Sequence, residues 1–228
     1  MNFVKLFQNK KGLEVGGPSR IFQDNGIIPL YKHVGGLDGC NFAHQTLWES
    51  GLQEGLFYKY HESKECGYQY ICEATNLQSQ ITIDYDFVIS SNCLEHIANP
   101  LKAISQFFLV LKKSGFLLIV VPRKEVTFDH NRSITTYEHL YEDYINNVDE
   151  HDLTHLPEIL ELHDLSLDPP AGTKEQFKER SMGNFFNRGL HHHVFDEKLL
   201  KEVFTAFGIQ ILNTWNITSD YVILGKKI

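Results

Sequence analysis

The sequence predicts a doubly wound α/β domain whose mostly parallel sheet is closed at one edge by a C-terminal antiparallel hairpin. Three observations predict it. Several short apolar runs lack the polar alternation of a half-exposed strand. Residues 85–121 read as strand, helix and strand, a unit whose crossover is right-handed almost always. The last twenty residues hold two β-rich segments separated by a polar turn.

The elements follow in order. Lys11 to Val15 is a short buried strand running into the glycine turn Gly16-Gly17-Pro18-Ser19. Residues 68–74 (YQYICEA) form a β-rich stretch, and Tyr85 to Ser91 an apolar run that stops at small polar residues. Asn99 can cap a helix whose first turn holds Pro100, where a missing N–H does no harm. Leu101, Ile104, Phe107, Phe108 and Leu111 recur at helical spacing, Lys112 and Lys113 suit the negative end of the dipole, and Gly115 stops the helix. Phe116 to Val121 (FLLIVV) returns as a strand ended by Pro122. A second helix starts at Asp196 and carries Leu199, Leu200, Val203, Phe204 and Phe207 before Gly208. Ile209–Trp215 and Tyr221–Lys226 then pair across a turn near Thr218-Ser219-Asp220.

Composition narrows the class. At 228 residues, 42% hydrophobic and 22% charged, the chain reads as one domain over residues 1–228. Its longest apolar run, Phe116 to Val121, is too short to span a bilayer. Met1 to Gly12 has lysines with no apolar stretch behind them, so no secretory signal is expected. Four cysteines without C-x-x-C pairing suit a reduced, cytoplasmic compartment. A net charge of -8 argues against a nucleic-acid partner, because phosphate binding needs a basic face. The charge is uneven: residues 123–195 hold fourteen Asp or Glu against seven Lys or Arg, and eight of the twelve histidines. They form an acidic, histidine-rich insert between the 116–121 strand and the last helix.

Three motifs in sequence carry a family resemblance. Leu13-Glu14-Val15-Gly16-Gly17-Pro18-Ser19 resembles the first motif of Rossmann-like methyltransferases, of the type 11 kind. Residues 85–97 (YDFVISSNCLEHI) are similar to their fourth strand and the loop beyond it, and Leu109 to Pro122 (LVLKKSGFLLIVVP) to their fifth-strand segment. The resemblance covers residues 11–122 and the terminal hairpin. It implies a seven-stranded sheet with the insert after strand 5, and S-adenosyl-L-methionine as cofactor. Two departures stand out: Pro18 and Arg20 occupy later glycine places of the motif, and Gly26 and Pro29 interrupt the helix that normally follows.

The resemblance also implies site residues. In open parallel sheets ligands sit beyond the carboxyl ends of the strands, at the switch in strand order. Gly16, Gly17, Pro18 and Ser19 are expected to contact the methionine part of the cofactor, since a glycine lets the backbone approach closely. Glu14 is expected beneath that loop, ordering it or meeting the cofactor's amino group. Asp38, 21 residues after Gly17, is a candidate for gripping both ribose hydroxyls, though Gly35-Gly36-Leu37-Asp38-Gly39 also reads as a turn. Asp24 and Glu49 are the next carboxylates in line. Glu73 and Ala74 match the adenine contact, and Ser91 and Asn92 face the cofactor from the fourth strand.

Methyl transfer is an in-line displacement in which positioning supplies much of the rate. A base is needed only for an acceptor that is a poor nucleophile while protonated. His130, eight residues past Pro122, and His96 are the candidates. The remaining insert histidines (His151, His155, His163 and the run His191-His192-His193) read as solvated or hydrogen-bonded, with no metal expected. The fourth-strand pattern of nucleic-acid amino methyltransferases is absent. The insert is polar and aromatic (Tyr137, Tyr141, Tyr144, Phe177, Phe185, Phe186), which suits a small-molecule or saccharide acceptor rather than a lipid. Besides a nicotinamide-dependent enzyme, the fold-level alternative disfavoured by the hairpin and the missing G-x-G-x-x-G, two other classes compete. A non-catalytic, cofactor-binding regulator fits the altered glycine motif, and a metal-dependent hydrolase would use the insert histidines.

Overall fold

The computed structural model describes residues 3–228, so Met1 and Asn2 of the Met1–Gly12 segment lie outside it. Its sheet grows outward from β1 (Lys11–Val15). On one side stand β2 (Gly36–Asn41), β4 (Gly67–Ile71) and, at the edge, β3 (Gly55–Tyr58). On the other stand β5 (Tyr85–Ser91), β6 (Leu111–Pro122), β8 (Asp220–Lys227) and β7 (Ile209–Asn216). The order is β3-β4-β2-β1-β5-β6-β8-β7. Pairing is parallel from β4 through β6, and antiparallel at β3–β4, β6–β8 and β7–β8. The terminal hairpin is therefore present, and the sheet has eight strands rather than seven. The addition is β3, four residues laid on the outer edge of β4.

One open reading closes and one sequence expectation changes. The glycine-rich stretch around Asp38 is strand, not turn: β2 is hydrogen-bonded on both sides, to β1 and β4, and two ladders outweigh local turn preference. The helix α1 (Pro100–Leu109) stops earlier than its apolar spacing suggests. Leu111 already pairs with Tyr85 while Phe116 pairs with Phe87, so residues 112–115 bulge from the ladder, and Lys112 Nζ meets Asp86 Oδ1 at 2.8 Å. The two lysines thus serve a strand bulge and not a helix terminus. Asn99 does cap α1, accepting from the Lys102 N–H at 3.0 Å.

Side chains of β6 alternate between two cores. Leu117, Ile119 and Val121 pack with α1, with α6 (Glu197–Ala206) and with Leu140 of α2 (Tyr137–Ile145). Phe116, Leu118 and Val120 pack against the opposite cover, an irregular N-terminal segment carrying Phe7, Phe22, Leu30, Tyr31 and Val34. There Phe7 meets Phe87 edge-on, with ring centroids 5.1 Å apart. As Gly26 and Pro29 imply, no regular helix follows the glycine turn; only the single 3-10 turn Arg20–Phe22 does. The rest of the insert folds as α3 (Leu156–Leu162), α4 (Lys174–Met182) and α5 (Asn184–Asn187), with a small core of Ile159, Ala171, Phe177 and Leu190. Among the described residues no helix is long and apolar enough to cross a membrane.

Candidate active site

Strand order reverses between β1 and β5: the chain leaves β1 toward β2 and β4, then returns to build β5 and β6 on the other side. A cavity of about 840 Å³ opens at the carboxyl ends of these strands, a size suited to a small molecule. Its lining draws on the turns after β1, β2, β4 and β5, on the β7–β8 turn, and on Glu150 and Arg188 from the insert.

The first turn is held from below. Glu14 is fully buried and accepts four hydrogen bonds: from Ser19 N–H (3.1 Å) and Ser19 Oγ (2.7 Å) on Oε1, and from the Tyr31 (2.7 Å) and Tyr58 (2.6 Å) hydroxyls on Oε2. Burial pushes its pKa up, and the Tyr58, Ser19 and Tyr31 donors hold it back. With four donors around an acceptor-only group, Glu14 orders the loop and does not line the cavity. Gly16, at φ +83°, lines it together with Pro18 and Ser19. Gly17 does not, and its need for glycine is different from the expected one. A Cβ there would lie 2.2 Å from Glu14 Cδ, so the missing side chain serves the buried carboxylate rather than a ligand.

Asp38 does not reach the site. It sits in the middle of β2, paired in register with Leu13, and is 3% exposed. Its carboxylate accepts from Tyr68 N–H (2.9 Å) and the Tyr85 hydroxyl (2.7 Å), and pairs with Lys11 at 2.9 Å. Strand β2 ends at Asn41, whose amide donates to Gly17 O at 3.0 Å, and the carboxylate that lines the cavity beyond it is Glu49. Spacing along the chain pointed to a mid-strand carboxylate. Asp24 pairs with Lys32 and His61 at the surface.

Glu73 and Ala74, just past β4, and Ser91 and Asn92, at the end of β5, all line the cavity. Asn92 adopts φ +48° and Arg188 φ +54°, so with Gly16 three lining residues stand in the left-handed region. Arg188 pairs with Glu73 (2.5 Å) and with Glu150 (3.1 Å). Glu150 Oε2 and the Arg188 Nε and Nη1 atoms are buried without hydrogen-bond partners of good geometry. Such atoms beside a cavity suit a polar ligand. Burial lifts the Glu150 pKa to about 7, and Arg188 opposes the rise. Sequence reasoning missed Glu150, Arg188 and Trp48, because 115 residues separate Arg188 from Glu73 and no local pattern marks such a pair.

The two candidate bases part company. His96 lines the cavity, with its ring 4.8 Å from Trp48 and 4.5 Å from His191. Its Nδ1 meets the Leu190 carbonyl at 3.0 Å; a carbonyl only accepts, so Nδ1 carries the proton and Nε2 keeps a free lone pair. Burial, then the His191 charge, push its pKa well below the usual histidine value, which keeps the ring neutral. His130 lies outside the lining, half-exposed, with Nε2 2.9 Å from Asp164. The chain after Pro122 is pinned to the hairpin by Arg123 N–H on Ser219 O (2.8 Å) and then coils through Lys124–Val126. Successive side chains on such a coil diverge, and Asp129 turns inward while His130 turns out. Asp129 is 3% exposed and meets His191 Nδ1 at 2.5 Å and Arg132 Nη1 at 3.0 Å. Arg132 in turn donates to the His191 (2.7 Å) and His192 (3.1 Å) carbonyls. Burial opposes the charged forms of both partners, yet His191 and Arg132 hold Asp129 low and Asp129 holds His191 high.

Comparison with known proteins gives the family and the fold. A family model described as a methyltransferase domain matches residues 2–214. No curated protein matches the sequence. Among solved structures, the N-methyltransferase NodS from Bradyrhizobium japonicum WM9, in complex with S-adenosyl-l-homocysteine, superposes with a TM-score of 0.52 at 9% identity, covering 99% of this chain and 83% of that one. A putative S-adenosylmethionine-dependent methyltransferase from Listeria monocytogenes gives 0.51 at 14% identity over 100% and 98% of the chains. The N-terminal domain of EvdMO1, solved in the presence of SAH and D-fucose, gives 0.51 at 12% identity over 99% and 80%. At such identities these likenesses speak for the fold alone, and the cofactor expected from the motifs, S-adenosyl-L-methionine, agrees with the family. With its eight-stranded, hairpin-ended sheet and the family model running along nearly its whole length, the chain belongs to the methyltransferase domain family.

Proposed function

We propose that this chain transfers a methyl group from S-adenosylmethionine to an oxygen or nitrogen of a small polar molecule or saccharide precursor, held between the sheet edge and the insert. The observation that carries the reading is the cavity at the strand-order switch, walled on one side by the β1 and β5 turns and on the other by Glu150 and Arg188. When bound, the cofactor supplies an electrophilic methyl on a sulfonium. Gly16, Pro18 and Ser19 hold its amino-acid end, Glu73 and Ala74 its base, and Ser91 and Asn92 the face toward β5. Glu49 takes the ribose role first considered for Asp38, because a carboxylate there can accept from both hydroxyls. Insert residues 123–195 recognise the acceptor, with Arg188 and Glu150 offering a charged donor and acceptor to a hydroxyl-rich molecule. His96, neutral with Nε2 unprotonated, receives the acceptor's proton.

Calorimetry with S-adenosylhomocysteine and with NAD tests the cofactor half: binding of the first and none of the second is expected, and the reverse sinks the reading. A methyl-release screen over sugars, nucleotide sugars and small amines tests the acceptor half. His96→Ala is then expected to lose on the order of 10²-fold or more in kcat, while His130→Ala stays near wild type. Full activity of His96→Ala would remove His96 from proton transfer.

A further inference from the structure

Helix α2 carries His139 and Asp143 four residues apart, on one face. His155 immediately precedes α3, and His193 lies on the extended segment leading to α6. In space the four converge, with one donor atom from each lying within 4.8 Å of all the others. His139 Nε2 is 3.1 Å from His155 Nε2 and 3.5 Å from Asp143 Oδ2, and His193 Nε2 is 3.6 Å from the same oxygen.

Protein atoms alone leave this group poorly satisfied. Two imidazole nitrogens facing each other at 3.1 Å share one proton at most. Asp143, 9% exposed, aims Oδ2 into the cluster, where that oxygen is buried and has no hydrogen-bond partner. Buried acceptors are ordinarily paired. A divalent cation at the centre would satisfy all four donors. Zinc bonded to nitrogen at about 2.0–2.1 Å in a tetrahedron sets neighbouring ligand atoms about 3.3 Å apart. The separations of 3.1, 3.5 and 3.6 Å bracket that value. Three imidazoles and one carboxylate favour zinc over magnesium or calcium, which take oxygen ligands. His193 Nε2 also lies 3.2 Å from Ala98 O, so ligation exchanges that hydrogen bond for a metal–nitrogen bond.

We propose that His139, Asp143, His155 and His193 form a structural zinc site that cross-links the insert's own segments beside the cavity wall. Four protein ligands close the coordination shell, leaving no open position for a hydrolytic water. The ion joins α2, the start of α3 and the segment that continues from His191, which itself packs on His96. The proposal reverses the expectation of no metal for these histidines, and it stands apart from the methyl-transfer reading.

The full chain, stripped with a chelator and dialysed, is titrated with zinc chloride and followed by calorimetry, elemental analysis and thermal melting. One zinc per chain and a higher melting temperature are expected. His155→Ala and Asp143→Ala should each lower zinc affinity by at least about 100-fold. His191→Ala, from the neighbouring Glu95, His96 and His191 group, should keep it. Should the ligand variants fail to fold, cobalt in the wild-type chain gives the second readout, the intense visible bands of a tetrahedral site. No zinc uptake by the stripped wild type overturns the proposal. So does stoichiometric zinc that survives both ligand variants, or that is lost only with His191→Ala, or an octahedral cobalt spectrum.

Discussion

Replacing Glu14 by Gln changes one atom and tests the logic of the glycine turn. The carboxylate receives four donors and faces no acceptor. An amide must therefore point two hydrogens at donors. The Ser19 N–H cannot reverse, so the amide oxygen takes the Ser19 side and the NH₂ group faces the Tyr31 and Tyr58 hydroxyls. Those hydroxyls can rotate to accept, but their own protons then lack a partner in a fully buried site. Two hydrogen bonds to a charged group are lost, at about 1.5–3 kcal/mol each, so about 3–6 kcal/mol is at stake. That approaches the whole stability of a typical domain, about 5–15 kcal/mol. Urea denaturation followed by far-UV circular dichroism reads the loss, and calorimetry with S-adenosylhomocysteine reads the loosened loop. Tyr58→Phe supplies the internal control. In the wild type it removes a hydrogen bond to the carboxylate and costs about 1.5–3 kcal/mol. In the Glu14→Gln chain it removes an orphaned hydroxyl and should cost nothing or stabilise, so the two changes must couple. A Glu14→Gln chain within about 1 kcal/mol of wild type, or strict additivity with Tyr58→Phe, refutes the reasoning.

Three further predictions follow from the site. Gly16→Ala forces a side chain into φ +83° and sets its Cβ 2.7 Å from Cys93 Sγ, which should destabilise by about 1–3 kcal/mol and abolish S-adenosylhomocysteine binding; normal calorimetric binding would move the cofactor off this turn. Asp38→Ala should lower urea stability by about 1–3 kcal/mol through the lost Tyr68, Tyr85 and Lys11 contacts, yet leave cofactor affinity within about twofold, and a large affinity loss with normal melting would restore its ribose role. Burial lifts the Glu95 pKa from 4.5 to about 7, so the native chain keeps a proton that the unfolded chain releases, and stability falls as pH climbs through that window. Glu95→Gln should match wild type near the bottom of the window and exceed it by up to about 3 kcal/mol above it; parallel urea curves at every pH would contradict the buried, partnerless carboxylate.

Wherever a feature follows from the chain's local order, the sequence alone determined it. The 85–121 strand–helix–strand unit, the Asn99 cap, the terminal hairpin and the glycine turn all rest on periodicity or on residues within a few positions of one another. Steric and hydrogen-bonding preferences at that range are written into the residue types themselves. The cavity-lining residues Gly16, Pro18, Ser19, Glu73, Ala74, Ser91 and Asn92 were implied by the family resemblance, and they fall together because they sit at strand ends, which share one edge on a parallel sheet.

Tertiary structure alone decided everything that depends on which distant chain arrives. Asp38 and Glu49 carry the same functional group; the register of β2 against β1 puts the first mid-strand, and only the path of the loop beyond β2 brings the second to the cavity. Asp129 and His130 are neighbours, and only the packing of the insert turns one toward His191 and the other toward Asp164. Arg188 meets Glu73 and Glu150, and His193 meets His139, Asp143 and His155, across separations no periodicity spans. Those meetings are set by long-range burial of the insert against the sheet, a sum of many weak contacts that leaves no mark on any short stretch of sequence.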